Sequence, residues 1–358
     1  PSILRVENLC VKCGQCREVC TNDIGVHGTY TLTQTGGKAI CINCGQCANV
    51  CPTASITEVY EYPDVQSAIK DPEKIVIVST SPSVRVALGE EFGMEPGTNA
   101  LNNLVAALKM MGADEVYDTN FGADLTVLEE SAEFLERLKK GGPFPMFTSC
   151  CPAWVKYVEE ERPHFLKNIS TCKSPMQMFS SVIKAEYANS SRRVVCVAIM
   201  PCTAKKFECA REEFMHDGVP ETDYVITTQE LIQMIHKAGI VFDELEPEAV
   251  DPEFSTSTGA GVIFGVTGGV MEAALRTVVD VLTGEDMPRL EYADVRGLEG
   301  IKEATVSVNG TDINVAIVHG TANAAKLLNA IRAGEKTYHF IEVMGCPGGC
   351  VTGGGQPI

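Results

Sequence analysis

The sequence has no long apolar run, no excess of positive charge and no low-complexity stretch, and each absence removes a class of function. Its longest apolar run, Val194 to Met200, is far short of the roughly 20 residues that a helix needs to cross a bilayer. The chain therefore offers no membrane span. Lys and Arg number 29 against 47 Asp and Glu, a formal charge of −18, and so acidic a chain repels the phosphate backbone that nucleic-acid binding requires. No secretory leader opens it. It begins at Pro1, so an initiator Met or a longer leader removed ahead of that residue fits equally. Cytoplasmic residence is the expectation, with periplasmic residence by co-export on a partner's signal the alternative.

What is present is cysteine, 16 residues of it in a chain of 358, with 45% hydrophobic and 21% charged residues. That composition describes an ordinary soluble globular protein, long enough for two or three domains. In a chain of this length, cysteines at C-x-x-C spacing point to metal ligation rather than disulfides.

Residues 1–62 carry CVKCGQCREVC and CINCGQCANVCP, two copies of the C-x2-C-x2-C-x3-C run of two-cluster ferredoxins. In that arrangement the fourth Cys of each run crosses to the other cluster. Cys10, Cys13, Cys16 and Cys51 are therefore expected on one 4Fe-4S cluster, and Cys41, Cys44, Cys47 and Cys20 on a second. Two zinc knuckles are the competing reading, but zinc sites usually separate their ligand pairs by longer loops. Gly14 and Gly45 would let backbone approach a cluster closely. A ferredoxin module only transfers electrons, so the remainder, 63–358, must give or receive them.

From Glu73 onward short β-branched runs alternate with amphipathic helical stretches, which predicts an α/β fold. Strands are expected in KIVIVST, VYDT, PMFTSC, VVCVAIM, YVITT, GVIFGV, the run ending at Gly320, and HFIEVMG. Helices are expected over Ala123 to Lys140, Pro152 to Glu161, Gln229 to Ala238, Gly269 to Leu282 and Ala322 to Ala333. Ala304 to His319 predicts a hairpin turning at Asn309-Gly310, and the Pro- and Glu-rich stretch Phe242 to Phe254 a surface connection.

The chemistry concentrates in TSCCPAW, from Thr148 to Trp154. Successive side chains of an extended or turning backbone diverge, so one of the adjacent thiols goes to a metal centre and the other stays free beside it, a candidate acid or base. MPCTAKKFE (Met200 to Glu208) and VMGCPGGCVTGGGQP (Val343 to Pro357) supply further thiols, and Cys151, Cys202, Cys346 and Cys350 make a set of four for an iron-sulfur cluster. In α/β folds ligands usually sit at strand C-termini, which suggests a cluster held between two α/β lobes. The glycines of 353–355 read as a wrap around a bulky cofactor. Cys172, Cys196 and Cys209 fit no ligand pattern and are expected as buried free thiols.

TSCCPAW, MPCTAKKFE and CPGGCVTGGGQP resemble the three signature segments of the iron-iron hydrogenases, and the resemblance extends over nearly the whole chain. It implies a two-lobed α/β catalytic domain at 63–358, preceded by a small α+β ferredoxin-like domain at 1–62. It also implies the H-cluster, a 4Fe-4S cubane bridged through one cysteine to a two-iron unit carrying CO, cyanide and a dithiolate with a bridgehead amine. By motif position Cys151, Cys202, Cys346 and Cys350 would hold the cubane, with Cys350 the bridge. Lys205 would donate to one cyanide and the Pro82 and Ser83 backbone would meet the other, while Met200, Met344 and Phe264 would wall the two-iron unit. Cys150 matches the family's proton-passing thiol, and Glu130, Ser170, Glu133 and Arg137 match its path to a surface arginine. Buried carboxylates on that path are expected to have raised pKa values.

The implied activity is the reversible conversion of protons and electrons to H2, with ferredoxin or a cytochrome as redox partner and dedicated maturation proteins to load the two-iron unit. Gln is common in the family where Met176 stands. Single-chain members continue past GGGQP, which raises the expectation of a small subunit, a natural absence or a truncation. The alternatives are a sensory member of the family, which tends to replace the relay cysteine, and a hydrogenase-like iron-sulfur scaffold, which loses much of the two-iron pocket. Cys150 argues against the first, and Lys205, Met344 and the Glu130, Glu133, Arg137 stripe argue against the second.

Overall fold

The computed structural model describes residues 2–26, 40–287, 291–294 and 300–357. The N-terminal part pairs strand β1 (Ile3–Arg5) antiparallel with β2 (Ile56–Glu58). Between them lie the short helices α1 (Gln15–Glu18) and α2 (Gln46–Asn49), each entered through a left-handed glycine, Gly14 and Gly45. Helix α3 (Tyr62–Ile69) then leads into the rest of the chain.

Strand β3 (Lys74–Thr80) opens a parallel sheet and is followed by helices α4 (Val84–Ala87) and α5 (Leu101–Met111). Next come β4 (Glu115–Asp118), the long helix α6 (Asn120–Lys140), β5 (Met146–Phe147), α7 (Pro152–Glu161) and α8 (Pro175–Glu186). Strand β6 (Arg193–Met200) leads to α9 (Ala204–Cys209), a small hairpin of β7 (Met215–His216) and β8 (Val219–Pro220), β9 (Tyr224–Thr227) and α10 (Thr228–Ala238). The last part holds α11 (Gly259–Ile263), α12 (Gly269–Thr283), β10 (Ala293–Asp294), β11 (Ile301–Val308), β12 (Thr311–His319), α13 (Thr321–Arg332) and β13 (Phe340–Met344).

Among the described residues the strands form two principal sheets, β4-β3-β6-β9, all parallel, and β10-β11-β12-β13-β5, mixed. β3 reads as one apolar run because a parallel strand covered by helices on both faces has no wet side. Thr80 pairs with Asp118 and Ile199, which aligns three C-terminal strand ends on one edge. The second sheet does the same with His319 opposite Met344. The loops leaving both edges meet, and that meeting place is the site.

The N-terminal part does not keep a core of its own. Ile24, Val26, Ile40 and Ile42 pack in one buried cluster with Phe147, Trp154 and Val343. Polar contacts tie it down as well: Thr203 Oγ1 donates to the Asn43 carbonyl at 2.7 Å, and buried Lys206 lies 2.5 Å from Glu230 and 3.8 Å from Glu58.

The hairpin turns where the sequence placed it, with Asn309 and Gly310 both at positive φ. Two readings are corrected. GVIFGV is not a strand: α11 ends at Ile263 and the chain turns through Phe264 and Gly265. Thr258 caps that helix by accepting from the Ala260 N–H, a start signal that a four-residue apolar run conceals. Phe242 to Phe254 is no simple surface connection either, because both phenylalanines are buried and Asp251 accepts from the Val116 N–H at 2.6 Å.

Candidate active site

Four thiols from three segments meet between the sheets. Cys151 ends the loop after β5 and precedes α7, whose Pro152 suits a first helical position. Cys202 follows β6, and Cys346 and Cys350 follow β13. Burial, then the charges of Cys202, Cys44, Cys151 and Cys350, raise the Cys346 thiol well above its ordinary value. Burial and then Cys151 push Cys202 up to about 11, and burial, Cys151 and Cys202 push Cys350 up to about 12. Thiols that hold each other neutral in this way gain most from a cationic metal centre. Gly345 fits that use: its N–H donates to Cys151 Sγ at 3.3 Å, and a Cβ there would lie 3.2 Å from the same sulfur.

Beside these thiols is a cavity with about 660 Å³ of empty space, part of it open. It is lined by Pro82, Ser83, Cys150, Cys151, Met176, Met200, Cys202, Lys205, Phe264, Met344 and Cys350, with Ser81 and Thr119 at its wall. The lining is mostly apolar, and Ser81 and Thr119 bring buried hydroxyls without a partner, so the cavity suits a compact group carrying a few acceptors. Lys205 Nζ donates to the Cys150 carbonyl at 3.0 Å and to Glu208 Oε2 at 2.8 Å. Burial alone would lower its pKa, but the Glu208 carboxylate outweighs that and raises it. The ammonium therefore stays charged at the cavity wall.

The N-terminal thiols lie close together, with Cys16 acting on both Cys20 and Cys47. Cys10, Cys13, Cys16 and Cys51 line one cavity. Cys20 and Cys47 are pushed up to about 11 and 12 by burial and then by Cys41, while burial raises Cys44, with Cys47, Cys41 and Cys20 adding to it. Sulfur-directed amides accompany both sets: Ile56 N–H points to Cys51 Sγ at 3.4 Å and Asn43 N–H to Cys41 Sγ at 3.5 Å. Among the described residues no three His, Cys, Asp or Glu side chains converge closely enough to grip a single metal ion. The first set instead surrounds open volume, which suits a multi-iron cluster better than one zinc.

Gly45 is needed where the second set abuts the larger site, since a Cβ there would meet Thr203 Oγ1 at 2.5 Å. The glycines of 353–355 pass close to backbone at the same junction. A Cβ at Gly353 would lie 2.2 Å from the Pro201 carbonyl oxygen, and one at Gly354 2.2 Å from that of Cys44.

A polar chain runs outward from Cys150. Its thiol is raised well above the ordinary value by burial, then by Glu130 and Cys151, against Lys205. Glu130 is fully buried on α6, and both its carboxyl oxygens lack a hydrogen-bond partner of ordinary geometry. Burial pushes it up to about 8, offset in part by the nearby Ser170 hydroxyl and the Ser149 backbone. Ser170 Oγ donates to Glu133 Oε2 at 2.9 Å, and Arg137 donates to Glu133 Oε1 at 2.6 Å.

Three expectations are corrected here. Glu133 is not raised: burial pushes it up, but hydrogen bonds from Thr171, Arg137 and Ser170 outweigh that and hold it below its ordinary value. Arg137 is not a surface arginine but 8% exposed, and it donates to the Asn168 and Ile169 carbonyls. Cys196 and Cys209 are buried, but Cys172 is only half-buried and its sulfur lies 3.8 Å from Glu133 Oε2.

Sequence reasoning missed Glu208, which orients Lys205 and also accepts from Ser174 Oγ at 3.1 Å. It missed Glu342, a buried carboxylate in β13 that takes the Gly268 and Met271 N–H groups, each at 2.7 Å, at the start of α12. It also missed the buried Arg85–Asp118 pair, two bonds of 2.7 and 2.6 Å that join α4 to the C-terminal end of β4. The i,i+3 spacing of Lys205 and Glu208 on one helix was a usable signal; the other contacts join distant segments.

Comparison with known proteins gives a consistent picture. Residues 74–354 match the family model "Iron only hydrogenase large subunit, C-terminal domain", and residues 38–57 match a 4Fe-4S binding domain. The NADP-reducing hydrogenase subunit HndD of Solidesulfovibrio fructosivorans is 44% identical over 99% of this chain and 64% of its own length. Iron hydrogenase 1 of Clostridium pasteurianum is 44% identical over 97% of this chain and 63% of its own. The chain thus spans somewhat under two thirds of either relative. A solved variant of the [FeFe]-hydrogenase HydA1 from Chlamydomonas reinhardtii superposes with a TM-score of 0.76 at 37% identity, covering 84% of this chain and 85% of that one.

Proposed function

The chain belongs to the iron-only hydrogenase large-subunit family, and on that premise we propose that it is a hydrogenase interconverting two protons and two electrons with H2. Its cofactors are 4Fe-4S clusters and the H-cluster. The observation that carries the activity is the convergence of Pro82, Ser83, Cys150, Met200, Lys205, Phe264, Met344 and Cys350, from widely separated segments, on one cavity beside four thiols.

Residues 1–62 form the electron-entry domain and 63–358 the catalytic domain. Cys10, Cys13, Cys16 and Cys51 hold one cluster, and Cys20, Cys41, Cys44 and Cys47 a second. Cys151, Cys202, Cys346 and Cys350 would hold the cubane, Cys350 being the thiolate shared with the two-iron unit. When bound, the H-cluster supplies an open iron site beside a basic amine, where H2 is formed or split. The protein's part is binding, orientation and proton movement. Lys205 and the Ser83 N–H of the Pro82–Ser83 turn would supply the donors for the two cyanides, a pairing that on the Lys205 side suits a compact ammonium and a small anion. Met200, Met344 and Phe264 exclude water. Cys150 holds a proton at Sγ, Glu130, Ser170 and Glu133 carry it onward, and the Arg137 guanidinium, always charged, holds Glu133 in place at the end of the path.

The electron partner is a small redox carrier, ferredoxin or a cytochrome, and loading of the two-iron unit depends on maturation proteins. No helix among the described residues is long and apolar enough to cross a membrane. Cys150 favours turnover over H2 sensing, and Lys205 and Met344 on the cavity wall favour it over iron-sulfur scaffolding.

The test is an infrared spectrum of anaerobically purified, matured protein in the CO and cyanide stretching region, followed by an H2 assay with a reduced dye. Bands and turnover are expected together; silence in protein made with the maturation machinery would overturn the reading. A second test concerns the crossed ligands. Cys20→Ala is expected to damage the cluster of Cys41, Cys44 and Cys47 in an EPR titration, and loss of the Cys10 cluster instead would show the crossing to be wrong.

A further inference from the structure

We propose that Gln356 is a positioning residue for the active site, its side-chain amide fixing the Pro82–Ser83 turn from the far end of the chain. The inference rests on the hydrogenase reading in one respect, that this turn meets a cyanide of the two-iron unit.

The turn lies between β3 and α4, and its two residues line the cavity. Gln356 reaches it across 273 residues of sequence: its Nε2 donates to the Ser83 carbonyl at 3.0 Å, and its Oε1 accepts from Thr228 Oγ1 at 2.6 Å. The residue is 4% exposed, so neither bond competes with bulk water. Gln229 holds the same segment by its backbone. Its Nε2 donates to the Gln356 carbonyl at 2.7 Å, and its N–H to the Gly355 carbonyl at 3.1 Å.

The glycines explain why this clamp has only one setting. Gly355 N–H donates to the Pro201 carbonyl at 2.9 Å, and a Cβ on Gly353, Gly354 or Gly355 would collide with Pro201, Cys44 or Thr227 at 2.2, 2.2 and 2.6 Å. The strap is thus threaded through a slot with no spare room, between the second cluster loop and the turn before Cys202. Gln356 emerges from it at a fixed point. Only an amide of this length both donates to Ser83 and accepts from Thr228. A carboxylate accepts at both ends and would face the Ser83 carbonyl in a buried place, and an apolar side chain leaves buried groups unpaired.

The experiment uses the matured full chain with Gln356→Glu and Gln356→Leu. Backbone amide exchange across 81–84 is expected to run roughly five- to tenfold faster than in the parent, the effect of one lost hydrogen bond of about 1 kcal/mol. In the infrared spectrum one cyanide band should shift and its partner, on the Lys205 side, should stay. Exchange within twofold of the parent and unmoved bands in both variants would overturn the proposal. If Gln356→Leu does not fold, Thr228→Val removes the hydroxyl that orients the amide and is read by the same two measurements. A parent protein without cyanide bands would sink the hydrogenase reading instead, and the exchange rates would still decide whether Gln356 holds the turn.

Discussion

Cys150→Ala is expected to keep every cluster and lose nearly all turnover, a fall of roughly 10²- to 10⁴-fold, which is what removal of a positioned proton donor costs. The prediction rests on a division of labour between neighbours. Cys151 takes the Gly345 N–H on its sulfur and lies among the cubane thiols, whereas Cys150 lies between the cavity and Glu130. Burial keeps the Cys150 thiol protonated at neutral pH, so it enters each cycle carrying the proton it must pass. Alanine has nothing to pass, and the small volume it gives up is no threat to the fold. Iron content, the cyanide bands and the melting temperature should match the parent while H2 production collapses. Full turnover in this variant would mean that protons reach the site by another way.

How much of this was legible in the sequence depends on the range of the interaction. Cysteine ligands declare themselves by local spacing, and Cys10, Cys13, Cys16 and Cys51 line one cavity. Long amphipathic helices are equally legible: α7 begins and ends where its periodicity does. GVIFGV failed because four apolar residues cannot separate a strand from one turn of helix.

The surroundings of the proton path were misjudged in a more instructive way. Glu130, Glu133 and Arg137 share one face of α6, but their spacing says nothing of what covers that face. The loop of residues 168–171 covers it, and its carbonyls, hydroxyls and amides make Arg137 a buried donor and Glu133 a stabilised anion. Glu130, one turn earlier, receives too little from the Ser170 hydroxyl and the Ser149 backbone to offset its burial and goes the opposite way. Gln356 lay out of reach for the same reason, since nothing local in GGGQP names Ser83.

That contrast between the two carboxylates yields the last expected result, that Glu130→Gln will stabilise the fold at high pH while disabling the enzyme. Burial, with too few hydrogen bonds to offset it, places the Glu130 pKa at about 8 against an ordinary 4.5. Below pH 4.5 the group is protonated whether the chain is folded or not, and it has no effect on stability. As pH rises from there the unfolded chain releases the proton and the folded chain must keep it, so stability falls until the folded group itself ionises near pH 8. Gln cannot ionise and escapes the loss. The variant's advantage in unfolding free energy should therefore be negligible below about pH 4.5 and grow to a plateau above about pH 8, on the order of a few kcal/mol, read as a higher melting temperature. Turnover moves the other way, down by roughly 100-fold, because an amide in that place neither accepts nor releases a proton. A merely structural Glu130 would show the stability gain with activity intact, and a Glu130 ionised at neutral pH would show no pH dependence in the difference. Seen together, the two opposed changes would mean that the same burial which weakens the fold sets the acid where a proton carrier for neutral pH should be.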